Sequence, residues 1–301
     1  MNAAIGAFMH KLNITNIMLI ILSACLTLSG CVSPQAKTSN ESTAWENLID
    51  QDLSQWDIWL GVPHTSIKDL PDGTYQADDV TELNGKPMGL NNDPKQVFRT
   101  IEQDGELLLA ISGEIYGGLT SKKSYQNYHL KMQFKWGDTK WAPRLERKRD
   151  SGLLFHCQGE HGTFWNVWKV CHELQIQETD IGDYIPLAGP ASKIRMNTID
   201  GIERYHPGAP LVLGKGYKNA RFENDAPHGK WNTIELIAFE DKAIFKVNEQ
   251  VVMVIQDSIN RAGEALTSGE LQIQSEGAEL YYRAMKIKPI TTLPDAYKTL
   301  F

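Results

Sequence analysis

The chain has 301 residues, with 30 Lys and Arg against 37 Asp and Glu and a formal net charge of −7. An acidic balance of this kind gives no electrostatic case for a nucleic-acid partner. The length allows one large domain with a substantial core, and no segment after residue 28 is apolar over enough residues to cross a membrane as a helix.

Residues 14–28 are mostly apolar and follow His10 and Lys11. The run is short for a membrane span and reads as the apolar region of an export signal. It ends in "LSGC", residues 28–31. Small residues before a cysteine resemble a bacterial lipobox, which implies cleavage before Cys31 and lipidation of that cysteine. A plain secretory signal cut nearby is the alternative. The expected organisation is a lipoprotein signal peptide over 1–30, a polar tether over 31–44 and a single β domain over 45–301. Such a product is exported and lipid-anchored to a bacterial membrane, facing the periplasm or the cell surface, with the lipid as its only membrane contact. Cys25 leaves with the signal. Cys157 and Cys171 then remain in an oxidising compartment and flank a hairpin pattern; a disulfide and two buried free thiols both fit.

Residues 45–59, "WENLIDQDLSQWDIW", read as a mixed opening segment with a short helical turn before the first strand. Strands dominate from there. Residues 106–112 are apolar and β-compatible. Residues 128–136 alternate, with Tyr128, Leu130, Met132, Phe134 and Trp136 on one face and His129, Lys131, Gln133 and Lys135 on the other, which indicates a half-buried antiparallel strand. Further strands are expected over 151–157, 172–177, 233–239, 243–247, 251–255, 269–274 and 279–287, with tight turns at 240–242 and 248–249. No long segment of period 3.6 follows the signal. The pattern predicts an all-β antiparallel sandwich or jelly roll with long ordered loops at 137–150, 158–170 and 179–229.

The unusual residues concentrate between 136 and 184. This stretch holds four of the eight tryptophans, Trp136, Trp141, Trp165 and Trp168, among Arg, Asp, Glu and Gln. Flat rings beside paired hydrogen-bonding groups suit sugar recognition; a satellite apolar core is the plainer account. Within it, Glu173, Gln175 and Gln177 alternate with Leu174 and Ile176, so a carboxylate and two amides share one strand face about 7 Å apart. A solvated outer face is the plainer reading of that row too. His156 and His172 are the nearest histidines. Parity puts His172 with Leu174, pointing inward. His156 shares a face with Leu154 and Gly152 on a strand whose parity is ambiguous because both faces are apolar. It is an acid/base candidate, though a lone histidine is more often structural. Lys122, Lys123, Arg144, Arg147, Lys148 and Arg149 form a local basic excess, of which Arg149, with Asp150, directly precedes a strand and is expected to face the cleft. There is no GxSxG elbow, phosphate loop, dinucleotide fingerprint or zinc pattern. The paired-acid "ExDxxE" strand of laminarinase-type glycosidases is also missing, so the two-carboxylate mechanism has only Glu173 clearly placed.

The segments "SKKSYQNYHLKMQFKWG", "RDSGLLFHC", "FWNVW", "ELQIQE", "GDYIPLAG", "GKWNTIELIAF", "KVN" and "GELQIQSEGAELYYRAMKI" together resemble the 3-keto-disaccharide hydrolase-like domain family over roughly residues 45–290. The resemblance implies a concanavalin- or laminarinase-like β-sandwich with a concave sheet, acting on glycosides whose sugar carries a ketone at carbon 3. The family's E-x-Q strand matches Glu173 and Gln175. Its N-S-G strand start matches Asp150-Ser151-Gly152, with Asp in place of the usual Asn. Its W-N pair matches Trp231-Asn232, and its terminal F-R-N-I is reduced to Tyr282-Arg283-Ala284-Met285.

A ketone at carbon 3 acidifies the proton on carbon 2. Its removal gives an enolate, and the group on carbon 1 leaves by elimination, after which water adds. This needs one base, one donor to the enolate oxygen and one acid. The resemblance points to His156 or Glu173 as base and to Gln175, Lys122 or Arg149 as enolate donors. Gln177, Trp168, Asp183 and Arg283 would hold the sugar, with Trp165 and Asp150 also lining the site. No motif demands a cofactor, and a divalent metal is an alternative holder of the oxyanion. The expected partner is an oligosaccharide or glycoside. The competing readings are a non-catalytic, surface carbohydrate-binding lipoprotein and a scaffold or adhesion protein.

Overall fold

A computed structural model describes residues 44–301. The export signal, Cys31 and residues 31–43 of the tether lie outside the described residues. In chain order the strands are β1 (Glu46–Asn47), β2 (Trp56–Leu60), β3 (Gly89–Leu90), β4 (Phe98–Gln103), β5 (Glu106–Ile111), β6 (Gly117–Ser121), β7 (Tyr125–Gln126), β8 (Tyr128–Lys140), β9 (Asp150–Gln158) and β10 (Val170–Gln177). They continue as β11 (Tyr184–Leu187), β12 (Ala191–Ile199), β13 (Ile202–Tyr205), β14 (Leu211–Gly214), β15 (Asn232–Phe239), β16 (Lys242–Val247), β17 (Gln250–Ile259), β18 (Ser268–Ser275) and β19 (Ala278–Pro289). They form two antiparallel sheets. The larger runs β13-β12-β17-β16-β15-β8-β19-β5-β4, with β1 on β19 and β14 on β12; the smaller runs β11-β10-β9-β18-β6-β2-β3, with β7 on β18. The all-β sandwich expected from the alternation is the fold observed.

The core lies between the sheets and follows from the alternation. Tyr128, Leu130, Met132, Phe134 and Trp136 of β8 all point inward and are at most 5% exposed. Leu174 and Ile176 of β10 meet them from the smaller sheet. Each such side chain contributes about 1.5–3 kcal/mol by leaving water. Asn248 and Glu249 both adopt positive φ, the backbone of a two-residue hairpin turn, and they join β16 to β17 as expected.

Two expectations need correction. The opening segment makes turns, not helix: the Asp50 carboxylate accepts a hydrogen bond from the Ser54 amide (2.8 Å), which holds a tight bend before β2. The stretch 179–229 is not a single loop but contains β11 to β14. Pro186 hides β11, and it is tolerated because β11 is a sheet edge.

β9 carries a bulge. Cys157 pairs with Glu270 and Leu154 with Gln272, so β9 holds one extra residue there, and His156 takes a φ of 50°. A bulge rotates consecutive side chains onto one face. Phe155 and His156 therefore both enter the sandwich, Phe155 against Phe245 of the other sheet and His156 against Tyr128 (ring centroids 6.0 Å). Burial pushes the His156 imidazole down to about 4. His172 also points inward, as its parity indicated. Its Nδ1 bonds the Tyr184 hydroxyl at 2.8 Å, and burial, followed by the neighbouring His156, pushes it down to about 3.

Both imidazoles are neutral in the folded protein and near 6.5 when unfolded. The unfolded chain therefore binds more protons, so their stabilising contribution is complete above about pH 6.5 and is lost as pH falls toward 4. His156→Asn keeps the left-handed backbone tolerable and removes one of these protons. Denaturant unfolding at several pH values should show the variant losing about 1.4 kcal/mol less per pH unit than the parent across that window. Parallel pH profiles would contradict the burial of a neutral His156.

Candidate active site

Leu174 and Ile176 of β10 go into the core, so Glu173 and Gln175 emerge on the outward face of the smaller sheet. In register, Glu173 lies opposite Leu154 of β9, Gln175 opposite Gly152 and Gln177 opposite Asp150. On the far side of β9 runs β18, where Gln272 also lies opposite Leu154 and Ile273 opposite Leu153. Ile273 is in the core, so Gln272 and Gln274 face outward, and Glu276 continues the row through a bridge to Asp150. Three adjacent strands thus place Glu173, Asp150, Glu276, Gln175, Gln177 and Gln274 together.

Gly152 is what lets them converge. A Cβ at this position would collide with Oε1 of both Glu173 and Gln274. With only hydrogen there, a carboxyl from one neighbouring strand and an amide from the other lie over the β9 backbone.

A single cation meets these acids. Arg144, from the loop between β8 and β9, pairs with Asp150 Oδ2 at 2.5 Å and also with Glu276. Its Nε donates to the Tyr116 hydroxyl at 3.1 Å, and Gln177 Nε2 donates to Asp150 Oδ2 at 2.5 Å. Glu173, Asp150 and Glu276 are all buried, at 2%, 2% and 6% exposure. Burial raises the Glu173 carboxyl well above the glutamate range, and repulsion from Glu276 and Asp150 adds to this. Asp150 and Glu276 are raised as a pair, chiefly by burial; Asp150 stays the more acidic because Arg144 and Gln177 hold its anion. Ionisation is therefore favoured at Asp150, and the buried site favours the protonated form of Glu173. Asp150 Oδ1 and Gln274 Oε1 are buried without a protein partner. Buried polar atoms are nearly always satisfied, so these two acceptors are open to water or to a ligand.

Asp183 flanks the cluster. Its backbone oxygen accepts from the Gln175 amide (3.0 Å). Its carboxylate accepts from the Ala220 amide and the Tyr217 hydroxyl, both at 2.5 Å, yet burial raises it to about 7. Tyr217 is 44% exposed. Its hydroxyl is raised by burial and then by Asp183, with Asp150 a smaller cause, which puts this phenol at the rim.

The remaining expected site residues lie elsewhere. His156 is inside the sandwich, across the sheet from Glu173, because of the bulge. Trp168 is 1% exposed. It packs on Tyr116 in a second apolar cluster with Leu154, Val167, Cys171 and Leu187, so it is a packing residue, not a sugar platform. Trp165, 43% exposed and stacked on Phe164 at 4.4 Å, remains available. Arg149 turns away and spends its guanidinium on Glu178 (2.8 Å) and the Asp138 carbonyl (3.2 Å). Lys122 sits past the end of β6, bonded to the Ser54 carbonyl at 2.9 Å, beside an open hollow of about 480 Å³ lined also by Asp57 and Arg99. Arg283 belongs to the larger sheet, where it bonds Gln133 and Glu106 and covers Trp231. Cys157 and Cys171 form a disulfide with Cα atoms 4.3 Å apart, closing the 158–170 loop over the smaller sheet. Among the described residues no group of three or more His, Cys, Asp or Glu is arranged to hold a metal ion.

Arg144, Gln274, Glu276 and Tyr217 are the site residues the sequence reading did not assign. A signal existed for one of them, Gln274. "ELQIQ" occurs at 173–177 and again at 270–274, and the two copies flank β9 on opposite sides with their polar residues on the same face.

A family model described as a 3-keto-alpha-glucoside-1,2-lyase-like domain matches residues 44–288. No curated protein matches the chain. Among solved structures, a candidate glycosyl hydrolase from Parabacteroides distasonis is similar at 15% identity, covering 82% of this chain and 100% of that one with a TM-score of 0.46. LamAcat from Zobellia galactanivorans is similar at 11% identity, covering 83% and 98%, with a TM-score of 0.43. The carbohydrate binding module CBM66 from Bacillus subtilis is similar at 10% identity, covering 64% and 91%, with a TM-score of 0.37.

The carboxyl cluster has a stability signature. Glu276 holds its proton more tightly folded than unfolded, so its folded-state contribution is complete below about pH 4.5, the ordinary glutamate range, and declines as pH rises. Glu276→Gln removes that titration while leaving the Arg144–Asp150 pair. Unfolding free energies from pH 4.5 upward should fall more steeply for the parent than for the variant. Identical slopes would contradict the raised carboxyl.

Proposed function

We infer the function from one premise: this chain belongs to the 3-keto-alpha-glucoside-1,2-lyase-like domain family, a carbohydrate-active family. On that premise the protein cleaves 3-keto-glycosides by elimination, and the buried acid cluster is where it does so. The observation that carries the reading is the convergence of three buried carboxyls, Glu173, Asp150 and Glu276, beside one guanidinium. Acids pushed apart by environment mark acid and base roles.

Asp150 is the base. It is anionic near neutrality, Arg144 and Gln177 fix its Oδ2, and its Oδ1 has no partner. It takes the proton from carbon 2, and the bonding pair moves into the enolate of the carbon-3 ketone. Gln175 is a suitable donor to the enolate oxygen, because its Oε1 is occupied by the Ile176 amide at 2.9 Å and its NH₂ is left for the ligand. The enolate then re-forms the ketone and expels the carbon-1 oxygen, which takes the proton of Glu173. Water adds to the resulting alkene for net hydrolysis. A positioned acid or base contributes about 10²–10⁴-fold, and donors at the developing oxyanion contribute on a similar scale. In this reading Arg144 stays on Asp150 Oδ2, and the substrate's hydroxyls complete the hydrogen bonds that Asp150 Oδ1 and Gln274 Oε1 lack. We further place the enzyme outside the cytoplasm, held by a lipid on Cys31; the Cys157–Cys171 disulfide is in keeping with an oxidising compartment.

Glu173→Gln and Asp150→Asn should each lower kcat/KM on a 3-keto-glucoside by about 100-fold or more, with thermal unfolding showing both variants folded. The parent should leave the corresponding unoxidised glucoside intact. Rates within a few-fold of the parent for both variants would remove this assignment, and binding of the ketosugar without released product would make the protein a carbohydrate-binding module.

A further inference from the structure

We propose that the outward face of the larger sheet docks on an anionic phospholipid surface, so that the domain lies against the membrane that anchors it. The proposal rests on the reading that Cys31 carries the lipid.

The inward residues of β8 fix the outward ones. His129, Lys131, Gln133 and Lys135 face solvent, and β19 pairs with them so that Lys288 is opposite His129, Lys286 opposite Lys131, Arg283 opposite Gln133 and Tyr281 opposite Lys135. Like charges directly opposite each other destabilise a sheet, yet Lys131 and Lys286 are so placed. The nearest acid, Glu235, lies opposite Lys131 on β15 and feels its charge, but it makes its ion pairs with other residues. Glu235 is taken by His129 (2.7 Å) and Lys246 (2.8 Å), and Glu106 by Arg283 (2.8 Å). Among the described residues, Lys131, Lys135, Lys286 and Lys288 have no ion-paired carboxylate. In a chain of net charge −7 this is a concentrated basic face.

Aromatic rings are set among the cations. Lys286 and Lys288 lie 5.1 and 5.0 Å from the Trp45 ring, and Trp45 is 37% exposed. Lys135 and Arg283 cover Trp231 at 4.8 and 4.1 Å. Tryptophan beside lysine is the pairing favoured where water meets lipid headgroups. The chain supplies the occupant. Strand β1 pairs with β19, so the polypeptide enters the domain at this face, at Trp45. Residues 31–45 reach at most about 50 Å even when fully extended. Lipid on Cys31 therefore keeps this face within reach of the bilayer, where each lysine gains by approaching anionic lipid.

The test uses the protein purified from membranes and returned to vesicles of phosphatidylcholine alone or with about 30% phosphatidylglycerol. Amine-labelling of each lysine is read by mass spectrometry. Lys131, Lys135, Lys286 and Lys288 should react about fivefold more slowly on the anionic vesicles and recover in high salt, while exposed Lys122 and Lys215 do not change. Intact mass reports acylation of Cys31 separately, and protection of the four lysines in unacylated protein would still support the face. Equal labelling on the two vesicle types would overturn the proposal. Protection by dextran sulfate but not by phosphatidylglycerol would overturn it too, assigning the face to an anionic polysaccharide.

Discussion

Glu173, Asp150 and Glu276 lie out of water beside one guanidinium. Desolvation favours their neutral forms, and each ionisation raises the cost of the next. Arg144 stabilises one anion well and cannot stabilise three. The cluster therefore favours ionisation at Asp150, while burial pushes both Glu173 and Glu276 upward. The proposed chemistry follows from this asymmetry. The proposed base and acid come from adjacent strands, β9 and β10, and converge over Gly152.

The sandwich exists to hold that cluster in place. β9 contributes Asp150 and the open position at Gly152. β10 and β18 lie on either side and carry the same five residues, so their polar rows meet over β9. The disulfide and the second apolar cluster around Trp168 fasten the 158–170 loop over the same sheet. The Arg144 loop closes the other approach. Arg144 pairs with both Asp150 and Glu276, which ties the loop between β8 and β9 to the cluster.

Much of this was legible from residue order. Alternation located the long strands, and the E-x-Q row gave the correct face of β10. What could not be read depended on distant contacts or on single backbone angles. The face of His156 is ambiguous in sequence, because both faces of β9 are apolar, and a single positive φ at His156 decides it. Trp168 and Trp165 look alike in sequence; only the packing of Tyr116 and Leu154 makes one a core residue and leaves the other exposed. Arg144 appeared as one of several loop cations, because nothing local distinguishes a guanidinium that reaches a buried acid from one that does not. Arg283 lies in the other sheet, a fact of topology. The repeated "ELQIQ" was the one unused local signal, and it pointed to Gln274.

The basic face of the larger sheet and the acid cluster of the smaller one lie on opposite faces of the sandwich. Docking on lipid through one face leaves the other turned outward toward soluble glycans. The account depends most on the proton held by Glu173. Carboxyl carbon-13 NMR of the glutamates, assigned by comparison with Glu173→Gln, reads that proton directly. The account predicts a Glu173 resonance that stays at the neutral-acid position through pH 7. A resonance already at the carboxylate position at pH 7, titrating in the ordinary glutamate range, would contradict it.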